Sequence, residues 1–233
     1  MTKEIKSVSV IGDSIFKGVI YDVNRKRYVV SHDSCAYLLP QEVNFKINNY
    51  SRFGITIKDA VEVLKYVLDT SDDELIVIEI GGNDSDFNWD SIAMYPDGEH
   101  LPKVSLKEFQ KYLVKMVKLC LKNKRIPILV TLPNISSEKY LEWVSKDEES
   151  KQAILKWLGN VERINSFHDE YNVVIRKVAK RYRLSCIEIN KSFELEYIDK
   201  LTDVDGIHPS IIGQKLIMNV ILDTLKKSLK YTY

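Results

Sequence analysis

Short runs rich in β-branched residues, each stopped by a tight polar turn, alternate along this chain with stretches of helical period, and that alternation leaves few folds open. Val8-Ser9-Val10-Ile11 stops at Gly12-Asp13, and Leu75-Ile76-Val77-Ile78-Glu79-Ile80 stops at Gly81-Gly82-Asn83-Asp84. Ile126-Pro127-Ile128-Leu129-Val130-Thr131 and Leu184-Ser185-Cys186-Ile187-Glu188-Ile189 repeat the theme, and Asn44-Phe45-Lys46-Ile47-Asn48 is a weaker alternating strand. Between them the period lengthens. Ile57, Ala60, Val61, Leu64, Val67 and Leu68 form an apolar stripe opening after Thr56, a residue suited to an N-cap. Ser105-Leu106-Lys107-Glu108 is a capping-box pattern ahead of Phe109, Leu113, Met116, Val117 and Cys120. Glu138 to Arg183 reads as mostly helical, and a last helix runs from about Ile211 to Leu229 with Leu216, Ile217, Val220, Ile221 and Leu225 inward. Strands alternating with helices imply right-handed crossovers. The expected fold is α/β, a three-layer α/β/α sandwich around a five-stranded parallel sheet. With 233 residues, no linker and no internal repeat, residues 1–233 are expected to form one domain.

Composition narrows the partners. A chain that is 45% hydrophobic and 29% charged, with 9 Gly and 6 Pro, is neither disordered nor of low complexity. Its 34 Lys+Arg balance 33 Asp+Glu to a net +1, so no electrostatic footprint for nucleic acid is present. The tail Lys226-Lys227-Ser228-Leu229-Lys230 reads as a solvated face complementing the end of the last helix. Cys35, Cys120 and Cys186 are far apart and form no C-x-x-C pair, which points away from a disulfide framework or zinc knuckle and toward a reducing, cytoplasmic setting. The segment Met1-Thr2-Lys3-Glu4-Ile5-Lys6 lacks the apolar stretch of a signal peptide, and no run approaches the roughly 20 apolar residues of a membrane span. Neither nucleic acid nor membrane is therefore an expected partner. The oligomeric state stays open, a homo-oligomer included.

In a parallel sheet of this kind, functional residues gather on the loops leaving the carboxyl ends of the strands. Four such loops carry chemistry: Gly12-Asp13-Ser14-Ile15, Asn49-Tyr50-Ser51-Arg52-Phe53-Gly54, Gly81-Gly82-Asn83-Asp84, and Asp205-Gly206-Ile207-His208-Pro209. They offer a hydroxyl, a glycine amide that can approach closely, a side-chain amide and an acid–base pair three residues apart. Acyl transfer needs a nucleophile, a base, an orienting carboxylate and oxyanion donors, and these loops supply each type. Singly, every block has a plain structural reading. Ser14 could cap a helix, Gly54 could be an ordinary turn glycine, Asn83-Asp84 an Asx turn, and His208 a surface histidine. Four of them at the ends of the right elements argue for catalysis.

With these blocks as G-D-S, N-x-S-x-x-G, G-x-N-D and D-x-x-H-P, the chain resembles the SGNH (GDSL-type) hydrolases, serine esterases and lipases with a flavodoxin-like α/β/α sandwich. The match brackets Gly12 to Pro209; Ile15 stands where Leu is usual, a conservative change. The resemblance implies Ser14 as nucleophile, His208 as general base and then acid, and Asp205 as the carboxylate that orients the imidazole. It further implies an oxyanion hole from the backbone N–H groups of Ser14 and Gly54 and the side-chain amide of Asn83. Neither metal nor cofactor is called for. The G-x-S-x-G elbow of the α/β-hydrolases is absent around Ser14.

The substrate is less specified. Small carboxylic esters are expected, O-acetyl groups on carbohydrates among them, with lysophospholipase or thioesterase action and a non-catalytic ligand-binding module as alternatives. Arg52 sits beside Gly54 and is a candidate for an anionic substrate group, although a solvated arginine fits as well. The aromatic stretch from Asp86 to His100, expected as a long loop, offers Trp89 and Tyr95 for stacking on a sugar or lining an acyl pocket. Capping of the sheet edge is the competing role. Tyr140 to Trp157, with Trp143, Trp157 and the run Lys146-Asp147-Glu148-Glu149, is placed on the opposite wall. His32, His100 and His168 lack metal-ligand spacing and receive no role.

Overall fold

A computed structural model describes residues 5–230. Side chains beyond 225, including those of the basic tail 226–230, and residues 1–4 lie outside that description, so the expectations placed on them are not addressed. The chain order is β1 (Ser7–Gly12), α1 (Ser14–Lys17), β2 (Val19–Asp22), β3 (Arg27–Val30), α2 (Cys35–Glu42), β4 (Lys46–Asn49), α3 (Ile57–Thr70) and β5 (Leu75–Glu79). There follow α4 (Trp89–Met94), α5 (Leu106–Lys122), β6 (Ile126–Val130), α6 (Ser137–Val144), α7 (Glu148–Leu158), α8 (Arg163–Tyr182), β7 (Cys186–Ile187), α9 (Ile198–Leu201) and α10 (Ile211–Lys230).

The main sheet has five strands in the order β4-β1-β5-β6-β7, and every neighbouring pair is parallel. This is the expected architecture. Its layers follow from strand alternation. Ile76, Ile78 and Leu129 face the layer of α3, α5 and α8, while Val10, Val77, Ile128 and Val130 face the layer that holds α10. A third apolar cluster, from α4, α6 and α7, covers the region beyond the carboxyl ends of the strands.

Helix starts follow their sequence signals. The carboxylate of Asp59 accepts both the N–H and the hydroxyl of Thr56 at 2.9 Å, and Ser105 Oγ accepts the N–H of Glu108 at 3.3 Å. Two elements differ from expectation. The stretch 184–189 contributes only Cys186–Ile187 to the sheet, because the N–H of Leu184 still bonds the helical carbonyl of Ala179 and the chain tightens into a 3₁₀ turn at Asn190. The stretch from Asp86 to His100 is not all loop. Asn88 accepts the N–H of Ser91 at 3.0 Å and starts α4.

The antiparallel hairpin β2–β3 directly after α1 had no sequence expectation, and neither had α2 or α9. The hairpin's flanks, Val19-Ile20-Tyr21 and Tyr28-Val29-Val30, are β-branched and aromatic around a polar turn, which is the ordinary signal for a hairpin. Among the described residues no helix is long and apolar enough to cross a membrane.

Candidate active site

The sheet order reverses at β1, so the crevice beyond its carboxyl end is where ligands gather in such sheets. Asp13 leaves β1 as the N-cap of α1, its Oδ1 accepting the N–H of Ile15 at 2.9 Å. With the cap supplied by Asp13, Ser14 is the first helical residue, its N–H without an intrahelical acceptor and its hydroxyl released from capping. That hydroxyl lies 2.9 Å from Nε2 of His208, although 194 residues separate the two.

His208 is held by its own loop. Its Nδ1 lies 2.6 Å from Oδ2 of Asp205, whose Oδ1 accepts the N–H groups of Ile207 and His208 at 3.1 and 3.0 Å. The hydroxyl of Tyr28, from β3, donates to Oδ2 at 2.8 Å. Burial alone would raise the Asp205 pKa, but His208 and Tyr28 outweigh it and hold the carboxyl below its ordinary value. A carboxylate only accepts, so Nδ1 carries the imidazole proton and Nε2 is the acceptor facing Ser14. Gly206 has φ +75°, and a Cβ there would meet the Ser136 carbonyl oxygen at 2.6 Å and the Tyr140 nitrogen at 2.7 Å.

The other two loops close on the same point. The N–H of Arg52 bonds the Gly12 carbonyl at 3.0 Å, and Asn49 Nδ2 donates to the Phe16 carbonyl at 2.8 Å, tying the 49–54 loop to the start of α1. Gly54 has φ +72° in open space, so its glycine is required by backbone conformation and not by crowding. Its N–H has no acceptor among the described residues. Asn83 Nδ2 is 3.5 Å from Oδ2 of Asp13. Both carboxylate oxygens of Asp84 accept the N–H of Ile57 at the start of α3, at 3.0 and 3.1 Å, and burial pushes this carboxyl up to about 7. Beneath them Glu79 is fully buried, with one oxygen 3.4 Å from the Asp13 N–H and the other without a partner among the described residues. Burial raises the pKa of both members of this pair, Asp13 to about 6 and Glu79 well above its ordinary value.

A cavity of about 160 Å³ opens on Ser14 and His208. Tyr28 and Phe53 stand at its mouth, the Phe53 ring nearly parallel to the imidazole at 6.0 Å, and Phe87, Trp89, Ile135 and Ile164 line the interior. The polar atoms of its walls are occupied elsewhere. Trp89 Nε1 and the Tyr140 hydroxyl both donate to Asp86 Oδ1, at 2.8 and 2.6 Å, and Lys103 binds the other oxygen. His168, given no role from the sequence, is buried in the wall between Ser85 Oγ (3.0 Å) and the Pro133 carbonyl (3.1 Å), and burial lowers its pKa to about 4.

The structure thus brings Ser14, His208 and Asn83 around one cavity, with Trp89 buried in its wall and Asp205 behind His208; Gly54, on the 49–54 loop, does not line it. Arg52 and Tyr95 are exposed and do not line it; Tyr95 ends α4 with its side chain 62% accessible. The residues that sequence reasoning missed are Tyr28, on the unexpected hairpin, and Phe87, Ile135, Ile164 and Phe167. The latter are single apolar residues in loops and helices, indistinguishable by pattern from core. Among the described residues no group of three or more His, Cys, Asp or Glu side chains could hold a metal ion, and the three cysteines are free thiols.

Residues 10–216 match the model of the GDSL-like lipase/acylhydrolase family. Solved structures share the fold. A lipase/acylhydrolase from Enterococcus faecalis is 19% identical with a TM-score of 0.63, covering 96% of this chain and 97% of that one. An esterase from Pseudoalteromonas sp., in a form inhibited by monoethylphosphonate, is 17% identical at 0.62, with 97% and 99% covered. A catalytic mutant of an acetylxylan esterase from Geobacillus stearothermophilus is 18% identical at 0.59, with 94% and 93% covered. None of the curated proteins compared matches the chain.

Proposed function

The chain belongs to the GDSL-like lipase/acylhydrolase family, and from that membership we propose that it cleaves small carboxylic esters with Ser14 as nucleophile. The observation that carries this reading is the Ser14 hydroxyl set 2.9 Å from the bare nitrogen of an imidazole whose other nitrogen is held by a buried carboxylate. A serine hydroxyl is inert until a base removes its proton. His208 takes that proton as Ser14 Oγ bonds to the ester carbon, and returns it to the leaving alcohol as the carbon–oxygen bond breaks. Asp205 fixes the imidazole and stabilises its cationic form. Water then repeats the sequence on the acyl-enzyme, releasing the acid and restoring Ser14.

The oxyanion that forms at each stage is received by the N–H groups of Ser14 and Gly54 and by Asn83 Nδ2. Each such donor is typically worth about 3 kcal/mol in the transition state. The alcohol half of the substrate lies outside the cavity, against the exposed faces of Phe53 and Trp143, the latter packed edge-on against Tyr21 and Tyr28. Such a shelf suits a carbohydrate ester, an ester class also suggested by the acetylxylan esterase among the similar structures. Trp89, buried and bonded to Asp86, is not available for that stacking.

A ligand-binding module without turnover requires the four groups to be misplaced in space, and the hydrogen-bonded chain from Ser14 to Asp205 speaks against it. The test is hydrolysis of p-nitrophenyl esters by the wild type and Ser14→Ala, beside labelling with a serine-reactive phosphonate read by mass spectrometry. Loss of hydrolysis and labelling in the variant is the expected result; full activity in Ser14→Ala overturns the reading.

A further inference from the structure

The cavity beside Ser14 does not end at the protein surface. Phe87 and Phe167, with ring centroids 5.2 Å apart, close its far end. On their other side lies a second cavity of about 390 Å³, which shares Ser85, Phe87 and Phe167 as walls and continues to Leu101, 80% exposed. Two cavities therefore adjoin between the nucleophile and solvent, divided by the Phe87 and Phe167 side chains, each of which faces both. Trp157 buttresses both rings, and the Arg163 guanidinium covers Phe167 at 4.9 Å.

We propose that the inner cavity receives the acyl group of the substrate and that the Phe87–Phe167 partition sets the longest acyl chain accepted. The proposal rests on Ser14 acting as the nucleophile, and it narrows the substrate to esters of short apolar acids. The walls decide which half of an ester enters. Trp89, Tyr140 and His168 have their polar atoms committed to Asp86, Ser85 and Pro133, so away from Ser14 and Asn83 the cavity shows an entering group mainly carbon. Sugar hydroxyls there would lose their hydrogen bonds to water without replacement, whereas an alkyl chain loses nothing and gains apolar cover.

Volume sets the length. An apolar cavity of about 150 Å³ holds a benzene-sized group, about six carbons. The inner cavity, at about 160 Å³, therefore suits butanoyl, hexanoyl or benzoyl, leaves acetyl underfilled, and excludes decanoyl. Each methylene that finds apolar cover contributes about fourfold to kcat/KM, and the series stops where the partition stands.

The experiment is kcat/KM for p-nitrophenyl acetate through dodecanoate, with the wild type, Phe167→Ala and Ile164→Phe, the last to fill the inner cavity. Cooperative thermal unfolding shows that each variant is folded. The wild type is expected to peak at butanoate or hexanoate. Phe167→Ala joins the cavities and raises the decanoate-to-butanoate ratio about tenfold or more, while Ile164→Phe moves the peak to acetate. Should Phe167→Ala fail to fold, Ile164→Phe decides alone. A decanoate-to-butanoate ratio within about twofold of wild type in folded Phe167→Ala, or a butanoate-to-acetate ratio within about twofold of wild type in Ile164→Phe, overturns the proposal. If the wild type cleaves no ester and Ser14 takes no phosphonate, the esterase reading itself fails; labelling at Ser14 with a flat chain-length response removes only the acyl assignment.

Discussion

The hydroxyl of Tyr28 donates to Oδ2 of Asp205 at 2.8 Å, the same oxygen that faces Nδ1 of His208 at 2.6 Å. The Tyr28 ring also packs against the imidazole, with centroids 4.8 Å apart. The hairpin that carries it is fastened to the same loop a second time, through the N–H of Tyr21 and Oδ2 of Asp203 at 2.7 Å. An element inserted after Ser14 therefore braces the Asp205–His208 pair.

Tyr28→Phe keeps the ring and removes the donor. A hydrogen bond to a charged group is worth about 2 kcal/mol, so kcat/KM for an activated ester is expected to fall by up to about thirtyfold. The sign of the pH effect follows from Asp205, whose carboxyl is held down partly by Tyr28. Without that donor its pKa rises, and the acid-side loss of activity moves to higher pH. A pH–rate profile identical to wild type would show that the hydroxyl does not act through Asp205.

On the proposed mechanism, Asn83→Ala removes one oxyanion donor while leaving Ser14, His208 and Asp205 in place. The expected loss is in kcat, by about a hundredfold to a thousandfold, with little change in KM. Loss confined to KM would mean that Asn83 binds the ground state and not the transition state.

Asp84 is pushed up to about 7 from an ordinary 3.8. A carboxyl whose native pKa is raised contributes stability that is fully present below its unfolded value and is lost as pH rises through its native value. Asp84→Asn keeps an acceptor for the Ile57 N–H but does not titrate. The wild type is therefore expected to lose stability relative to this variant between about pH 4 and pH 8, by up to about 4 kcal/mol. Denaturant unfolding at several pH values measures the difference; a gap independent of pH refutes it.

Gly54 and Gly206 both hold positive φ, but only Gly206 is hemmed in by backbone. Gly54→Ala should cost about 1–2 kcal/mol of stability from conformation alone. Gly206→Ala adds overlap with the Ser136 carbonyl and should cost more, and it should also misplace Asp205 and His208. Equal shifts in Tm for the two would contradict this ranking.

The layers of this fold were legible because buried parallel strands leave continuous apolar runs and helices leave a 3.6-residue period. The loops of the site were legible because each needs residues that little else demands together: Asp13 before Ser14, Asn83 after two glycines, Asp205 three before His208. The β2–β3 hairpin escaped because its strands are four residues each and half-exposed, too short for alternation to stand out. Tyr28 escaped with it. The walls of the cavity escaped for another reason. Ile164 and Phe167 lie at ordinary inward positions of a helix, and only the path of the chain decides whether an inward residue meets core or empty space.

Ser14 follows the first strand of the sheet, and His208 precedes the last helix. During synthesis the serine emerges early and remains an ordinary alcohol until the loop that carries His208 has followed it. On the proposed mechanism, a chain that stops anywhere upstream of residue 208 lacks its general base and is expected to leave esters uncleaved.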